Sequence, residues 1–222
     1  RIMRGVDGDK DQSYFLWGVP AEVARHLRFP LGHLTKPQVR ARARALGLVT
    51  ADKPESQEIC FVPTGDYTDL LSRRLGEDHP ALAPGRLVRA DGCIVGEHGG
   101  YGRYTVGQRR GLGGGFSRPL YVLGVRPQRN EVVVGEEEEL YREEVSLHDL
   151  NWIGEAPRAG DRVRVQIRHR AAAVDAIVAS SAAGALDLRL LQPQRAVTPG
   201  QSGAVYDGDE LLGGGRIFNG RE

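Results

Sequence analysis

Arg162-Val163-Arg164-Val165-Gln166-Ile167-Arg168 alternates polar with apolar side chains, and Ala185-Leu186-Asp187-Leu188-Arg189-Leu190 repeats the pattern. Because successive side chains of a strand point to opposite faces, this period of two predicts antiparallel strands with one buried face. We expect further strands at residues 173–178, 201–206 and 211–218. So many short strands between residues 141 and 222 predict a small closed β-barrel, since closure removes exposed strand edges.

Residues 63–140 predict a second β-rich domain, because short apolar runs are separated there by glycine. The runs are Gly85-Arg86-Leu87-Val88, Gly92-Cys93-Ile94-Val95-Gly96, Leu120-Tyr121-Val122-Leu123-Gly124-Val125 and Glu131-Val132-Val133-Val134-Gly135. The pair Asp91-Gly92 between the first two runs indicates a tight hairpin. At the start of this domain, residues 66–75 carry Leu70 and Leu71 and predict a short helix.

The first 62 residues predict a mixture of helix and strand, with one amphipathic helix. Thr35 is suited to cap this helix, and Pro37 is tolerated in its first turn. Apolar residues then recur at helical spacing, at Val39, Ala43 and Leu46. We expect Gly47 to end the helix.

The chain has 222 residues and a formal net charge of +1, but its charges are unevenly distributed. Its 30 glycines and 12 prolines favour turns and short strands over long helices. Glu136 to Glu139 form an acidic run, whereas arginines are concentrated at Arg103, Arg109, Arg110, Arg118 and Arg126, and again at Arg162, Arg164, Arg168 and Arg170. The near-neutral total does not exclude nucleic-acid binding, because a local basic face supplies phosphate contacts.

Two cysteines in a chain of this length exclude a disulfide scaffold, and no Cys-x-x-Cys motif or histidine cluster predicts a structural zinc site. This usage is typical of a reducing cytoplasm. No apolar run is long enough to cross a membrane, and no signal-peptide pattern is present. We therefore expect a cytoplasmic protein without a membrane partner.

A polar and acidic segment leads into a single thiol in the run Lys53-Pro54-Glu55-Ser56-Gln57-Glu58-Ile59-Cys60-Phe61-Val62-Pro63. Taken alone, such a cysteine is more often a small buried hydrophobe than a nucleophile. The other informative segments are Lys10-Asp11-Gln12-Ser13-Tyr14-Phe15-Leu16, Phe29-Pro30-Leu31-Gly32, Leu34-Thr35-Lys36, Tyr104-Thr105-Val106-Gly107-Gln108-Arg109-Arg110-Gly111-Leu112 and Val197-Thr198-Pro199-Gly200-Gln201-Ser202. In this order, the segments closely resemble the tRNA-specific 2-thiouridylases, which replace the C2 oxygen of the anticodon wobble uridine with sulfur.

The resemblance covers essentially the whole chain but only part of the family pattern. These enzymes begin with an ATP-pyrophosphatase domain, whose Ser-Gly-Gly-x-Asp-Ser phosphate loop and first catalytic cysteine do not occur among the 222 residues. We therefore expect the carboxy-terminal part of a longer enzyme, inactive in isolation. The resemblance implies an α/β remainder of the ATP-pyrophosphatase domain at 1–62, a small β-rich central domain at 63–140, and a carboxy-terminal antiparallel β-barrel that contacts tRNA at 141–222.

The resemblance also implies ATP with magnesium as cofactor, tRNA as substrate, and a sulfur-relay protein or cysteine desulfurase as sulfur donor. Cys60 matches the catalytic cysteine that carries a persulfide and delivers its terminal sulfur to an adenylated uridine. Glu55 and Glu58 oppose ionisation of this thiol, so its activation must come from elsewhere in the fold. Cys93 lies in the predicted hairpin, where the family pattern requires no cysteine, and we interpret it as a tolerated small residue.

The trio Lys10, Asp11 and Gln12 has two interpretations. One is a solvated loop in which Asp11 caps a helix. The other, implied by the resemblance, is a set of tRNA contacts near the target nucleotide. The resemblance assigns further tRNA contacts to Arg168, His169 and Gln201, which would fix the register of the RNA through its backbone.

The glycine-rich stretch at 111–115 lacks the lysine of a phosphate-binding loop, and no helical pattern follows it. We interpret it as a flexible turn beside Arg109 and Arg110, which either meet RNA phosphates or pack between domains. Two functions fit the whole sequence: an ATP-dependent tRNA sulfurtransferase, or a non-catalytic RNA-binding barrel similar to those of translation factors. Only the sulfurtransferase requires Cys60 to react selectively over Cys93.

Overall fold

The computed structural model describes residues 1–53, 67–182 and 184–218, and these form two compact units. The first unit contains the described residues of 1–55, 143–193 and 198–222, and the second contains those of 56–142 and 194–197. In chain order the elements are β1 (Ile2–Met3), α1 (Ala21–Ala24), α2 (Lys36–Ala45), α3 (Tyr67–Leu75), β2 (Gly85–Val88), β3 (Ile94–His98), β4 (Tyr121–Arg126), β5 (Glu131–Gly135), β6 (Tyr141–Trp152), β7 (Arg162–Gln166), β8 (Val174–Ala182), β9 (Ala185–Arg195), β10 (Ser202–Asp207) and β11 (Glu210–Phe218).

The first unit is built on a closed six-stranded barrel, which confirms the architecture predicted from the alternating runs. Its strands follow the order β11-β10-β7-β8-β9-β6, and pairing of β11 with β6 closes the ring. The inward positions of the predicted strands are buried apolar residues, among them Val163, Val165, Ala176, Val178, Leu186, Leu188 and Leu190. The period of two in the sequence therefore marks the barrel interior correctly.

Part of the outer face of the barrel is also buried, because the first segment of the chain packs against it. Tyr206 lies opposite Arg164, whereas the inward Val205 lies opposite Val165, so Tyr206 points outward. The cluster on this outer face consists of Ile2, Tyr14, Ala173, Ala204, Tyr206 and Leu211, with Leu16 and Trp17 packed against it. Strand β1 extends the sheet by pairing with the start of β11.

The second unit contains a four-stranded sheet in the order β3-β2-β5-β4, and this confirms the predicted β-rich region. Strands β2 and β3 form the predicted hairpin, in which Gly92 has a φ of 89° and Asp91 Oδ1 accepts a 2.9 Å hydrogen bond from Cys93 N–H. Strand β2 also pairs with β5 in parallel. Burial of Leu87, Leu112, Leu120, Val122, Val132 and Val134 forms the core of this unit.

Helix α2 has the predicted ends. Gln38 Oε1 accepts a 2.8 Å hydrogen bond from Thr35 N–H, Asp7 Oδ2 accepts one of 2.7 Å from Lys36 N–H, and Gly47 follows the helix with a φ of 66°. Within the described structure no residue of α2 is buried, and Leu46 is 74% exposed. The apolar face expected from the sequence is therefore only partly covered by the described residues, with Val39 and Ala43 half-buried. None of the helices in the described ranges is both long and apolar enough to span a membrane.

Candidate nucleic-acid interface

The loop that contains Lys10, Asp11 and Gln12 is held by the carboxylate of Asp11. Asp11 Oδ1 accepts hydrogen bonds of 3.0 Å from the N–H groups of Gly5 and Ser13. Its Oδ2 accepts a 2.8 Å bond from Ser13 Oγ, and the Arg4 guanidinium lies 3.5 Å away. The side chain of Asp11 is only 8% exposed, so its oxygens serve the local backbone, while Lys10 and Gln12 stay exposed on the loop.

Arg4 connects this loop to the outer face of the barrel. Its Nη2 donates a 2.8 Å hydrogen bond to Gln166 Oε1 at the end of β7, and its guanidinium carbon lies 4.0 Å from the centroid of the Tyr206 ring. Tyr206 OH is 3.1 Å from Ser13 Oγ. Burial raises the pKa of Tyr206, so its phenol stays protonated and available for hydrogen bonding.

Gln166 shapes the turn that carries two of the predicted RNA-binding residues. Its Nε2 donates to the carbonyl oxygens of Arg168 at 3.0 Å and His169 at 2.8 Å. Gln166 itself is 4% exposed, whereas His169 is exposed. The His169 ring lies 4.5 Å from the Phe15 ring at an interplanar angle of 37°. The turn after β7 is therefore fixed beside the segment that follows Gln12.

Tyr14 lies between the turn after β7 and the start of β10. Its ring centroid is 6.1 Å from that of His169, and its hydroxyl donates a 2.9 Å hydrogen bond to the carbonyl oxygen of Ser202. Gln201, the residue before Ser202, is exposed. The structure thus brings the three predicted segments together on one surface, which we call the barrel-end surface: Lys10, Gln12, Phe15, Arg168, His169 and Gln201.

An open cleft of about 530 Å³ adjoins the barrel-end surface. Its lining includes Lys10, Asp11, Gln12 and Phe15, together with Phe29 from the residues that precede α2. Phe15 and Phe29 are 56% and 52% exposed. Positive charge beside exposed aromatic faces suits an unstacked nucleotide better than a wholly apolar ligand.

Sequence reasoning missed the residues that position this surface. Arg4 and Tyr206 belong to no recognisable motif, and Ser13 lies in the segment that begins at Lys10 but received no role. Gln166 occupies a position that the alternating pattern gives to solvent. Their roles arise from contacts between distant parts of the chain. The aromatic pair after Gln12 was the one local signal of a packed site.

Cys60, Glu55 and Glu58 lie outside the described residues, and their predicted roles stay predictions. Cys93 is exposed in the turn before β3 and not within a strand, and its interpretation as a tolerated small residue stays a prediction. Within the described ranges no group of three or more histidine, cysteine or acidic side chains could hold a metal ion.

The described residues do not fit the phosphates of ATP. The triplet Gly213-Gly214-Gly215 lies within strand β11, and the stretch 111–115 leads to strand β4 at Tyr121 instead of a helix. It therefore lacks the helix N-terminus that a phosphate-binding loop places against the anion. No step that depends on ATP is assigned to these residues.

Three family models match the chain in sequence: the tRNA methyl transferase HUP domain at residues 1–64, the tRNA methyl transferase PRC-barrel domain at 70–136, and the aminomethyltransferase beta-barrel domain at 142–217. The chain is 46% identical over 218 residues to the tRNA-specific 2-thiouridylase MnmA of Carboxydothermus hydrogenoformans. It is 46% identical over 220 residues to that of Acidithiobacillus ferrooxidans and 47% identical over 219 residues to that of a Roseiflexus species.

These three alignments cover 97%, 97% and 98% of this chain. They cover 59%, 61% and 58% of the relatives. The chain therefore spans about three fifths of the length of the curated relatives that it matches. The sequence similarity extends across both compact units of the structure.

Proposed function

Because this chain belongs to the family of tRNA-specific 2-thiouridylases, we propose that it acts in the ATP-dependent 2-thiolation of the wobble uridine of tRNA anticodons. We assign to it the parts of the reaction that its own residues can perform: carrying sulfur on Cys60 and holding the RNA. The phosphate loop that would hold ATP is not among its residues. On this proposal the chain shows no tRNA-dependent AMP release by itself.

Cys60 is proposed to carry the transferable sulfur as a persulfide, received from a sulfur-relay protein or a cysteine desulfurase. A thiol accepts and delivers sulfur as the thiolate, which a serine hydroxyl cannot replace. Cys93 takes no part on this proposal, since the family pattern requires no cysteine at its place in the β2–β3 hairpin. The division into residues 1–62, 63–140 and 141–222 is proposed on the same basis, supported by the separate model matches to each segment.

The single observation that carries the RNA-binding role is the network between Asp11 and Gln166. It fixes the loop of Lys10 and Gln12 to the turn that carries Arg168 and His169. Preorganised cationic and amide groups hold a nucleic-acid backbone in register at little cost in ordering entropy. We therefore assign Asp11 to positioning the loop and the exposed residues of the barrel-end surface to contacting the tRNA.

The exposed face of the Phe15 and His169 pair adds a stacking platform to this surface. Sequence-specific proteins recognise unpaired RNA bases by stacking them on aromatic or histidine rings. The anticodon loop supplies such bases near the target uridine. The adjoining cleft of about 530 Å³ gives an unstacked nucleotide room beside Lys10 and Gln12.

Titration of fluorescently labelled tRNA against the chain between about 50 and 200 mM salt tests this assignment. Replacing Lys10 or Arg168 by alanine should weaken binding and lower the log-log salt slope by roughly 0.7 to 0.9 for each lost phosphate contact. Gln201→Ala should weaken binding with little change of slope, because the lost group is uncharged. Arg158→Ala is the matched control, since Arg158 is exposed and paired with Glu155. Unchanged salt slopes for both Lys10→Ala and Arg168→Ala would show that the barrel-end surface does not contact the tRNA backbone.

A further inference from the structure

The second unit carries a turn of fixed geometry at residues 107–115, here called the arginine loop. Gly107 N–H donates to Val122 O at 2.8 Å, and Val122 N–H donates to Gln108 O at 2.9 Å, so the loop begins locked to strand β4. Leu112 is 4% exposed in the core of the unit and anchors the middle of the loop. The three residues between these anchors are Arg109, Arg110 and Gly111.

The side chain of Gln108 fixes the backbone that presents these two arginines. Its Oε1 accepts a 3.1 Å hydrogen bond from Thr105 N–H, and its Nε2 donates a 2.8 Å bond to Arg110 O. Tyr104 OH donates a further 2.9 Å bond to Gly111 O. The turn is therefore held on both sides of the two guanidinium groups, and binding an anion there requires no ordering of the backbone.

Both arginines are exposed, and neither has a carboxylate partner among the described residues. Other arginines of the same unit do: the pairs are Arg118–Glu136, Arg126–Glu131 and Arg195–Glu137. An exposed arginine by itself is ordinary surface. Arg86, Arg89 and Arg103 of this unit also lack a carboxylate partner among the described residues, so it is the adjacency of Arg109 and Arg110 on a fixed turn that concentrates positive charge there.

The end of the loop adds uncovered peptide groups. The N–H groups of Gly113, Gly114 and Gly115 make no hydrogen bond within the described structure. A Cβ at any of these three positions would meet no atom within 4 Å, so nothing obstructs a large ligand. Gly111, Gly113 and Gly115 all have φ between 80° and 91°, a conformation that glycine adopts without strain. Such free backbone N–H groups are good donors to phosphate oxygens.

We propose that the arginine loop is a second phosphate-contacting surface for the RNA substrate, separate from the barrel-end surface; this inference rests on the proposed function. Guanidinium groups bind phosphate oxygens in a bidentate manner, which suits Arg109 and Arg110 to a phosphodiester backbone. The open glycine end favours an extended polyanion over an enclosed small anion. Contact in two places would hold the tRNA at both compact units of the chain.

The test is a titration of labelled tRNA against the double variant Arg109→Ala/Arg110→Ala between about 50 and 200 mM salt. Two lost phosphate contacts should lower the log-log salt slope by roughly 1.4 to 1.8. Arg118→Ala removes the same charge from an arginine paired with Glu136 and should change the slope far less. The variant Arg109→Lys/Arg110→Lys should restore most of the slope, because it restores the charge.

If the double alanine variant binds tRNA with the same affinity and salt slope as Arg118→Ala, the arginine loop does not contact the RNA. The proposed function still holds in that case if Lys10→Ala and Arg168→Ala weaken tRNA binding. Failure of the unchanged chain to bind tRNA at low salt overturns both proposals. Weaker binding with an unchanged salt slope and a lower melting temperature also overturns the inference, since it shows a structural role for the two arginines.

Discussion

The guanidinium of Arg4 and the side-chain amide of Gln166 form a hydrogen bond of 2.8 Å across 162 positions of the sequence. The same amide donates to the carbonyl oxygens of Arg168 and His169. One buried glutamine therefore joins the first segment of the chain to the barrel and sets the shape of an RNA-facing turn. Both the stability of the first unit and the geometry of the barrel-end surface depend on it.

Replacing Gln166 by leucine should lower the free energy of unfolding of the first unit by about 1 to 3 kcal/mol, because it removes the hydrogen bonds that this buried amide makes to Arg4 and to the carbonyl oxygens of Arg168 and His169. Urea unfolding followed by tryptophan fluorescence measures this directly, since both tryptophans, Trp17 and Trp152, lie in that unit. Gln128→Leu, at an exposed glutamine of the second unit, is the control and should leave the transition in place. Equal urea midpoints for the two variants would show that the hydrogen bonds of Gln166 do not stabilise the first unit.

Gly213 lies where β11 pairs with both β10 and β6, and its φ is 154°. A Cβ there would meet the carbonyl oxygen of Asn151 and the ring of Trp152. We expect Gly213→Ala to destabilise the barrel by about 2 to 3 kcal/mol, through backbone strain and steric clash. Gly8→Ala, where a Cβ meets nothing within 4 Å, is the matched control. Urea midpoints that shift equally for both variants would contradict this account of barrel closure.

His98 should make the second unit less stable in acid. The residue is 4% exposed, and its Nδ1 accepts a 3.1 Å hydrogen bond from Gly100 N–H. Burial lowers the pKa of His98 below its ordinary value of 6.5, because the buried imidazolium is poorly solvated. The stabilising contribution is therefore complete above pH 6.5 and is lost as the pH falls from 6.5 through the folded pKa.

Comparison of urea unfolding at pH 7.5 and about pH 5 tests this sign, with circular dichroism reporting on the second unit. His98→Gln keeps a hydrogen-bond acceptor for Gly100 but cannot titrate, so its acid sensitivity should be smaller. His33→Gln, at an exposed histidine, should behave like the unchanged chain. A His98 ring proton that titrates above pH 6.5 in NMR would contradict the prediction.

The local features of the fold could be predicted because they depend on neighbours in sequence. Period two predicted the barrel strands, Thr35 and Gly47 bounded α2, and Asp91-Gly92 predicted the hairpin. The parallel pairing of β2 with β5 was not predicted, since the apolar pattern of a strand does not specify its partner. The only partly covered face of α2 was also unexpected, because amphipathic spacing predicts a face but not what covers it.

The candidate site shows the same limit. The RNA-facing residues could be proposed from the sequence, but the positioning residues could not. Gln166 shares the outward face of β7 with Arg164, and the pattern predicts solvent there; the first segment of the chain buries it instead. The sequence allowed two interpretations of Asp11. In one its carboxylate bonds to the local backbone, and in the other it contacts the tRNA. Such choices are made by long-range packing, which a local pattern does not contain.

The most direct test of the account is the amount of 2-thiouridine formed at the wobble position of tRNA by the complete enzyme with Cys60→Ser or Cys93→Ser. Cys60→Ser should abolish thiolation and leave tRNA affinity nearly unchanged, because an alcohol cannot carry a transferable persulfide sulfur. Cys93→Ser should retain full thiolation, since the family pattern requires no cysteine at this hairpin position. Formation of 2-thiouridine by the Cys60→Ser enzyme would show that Cys60 does not carry the transferred sulfur.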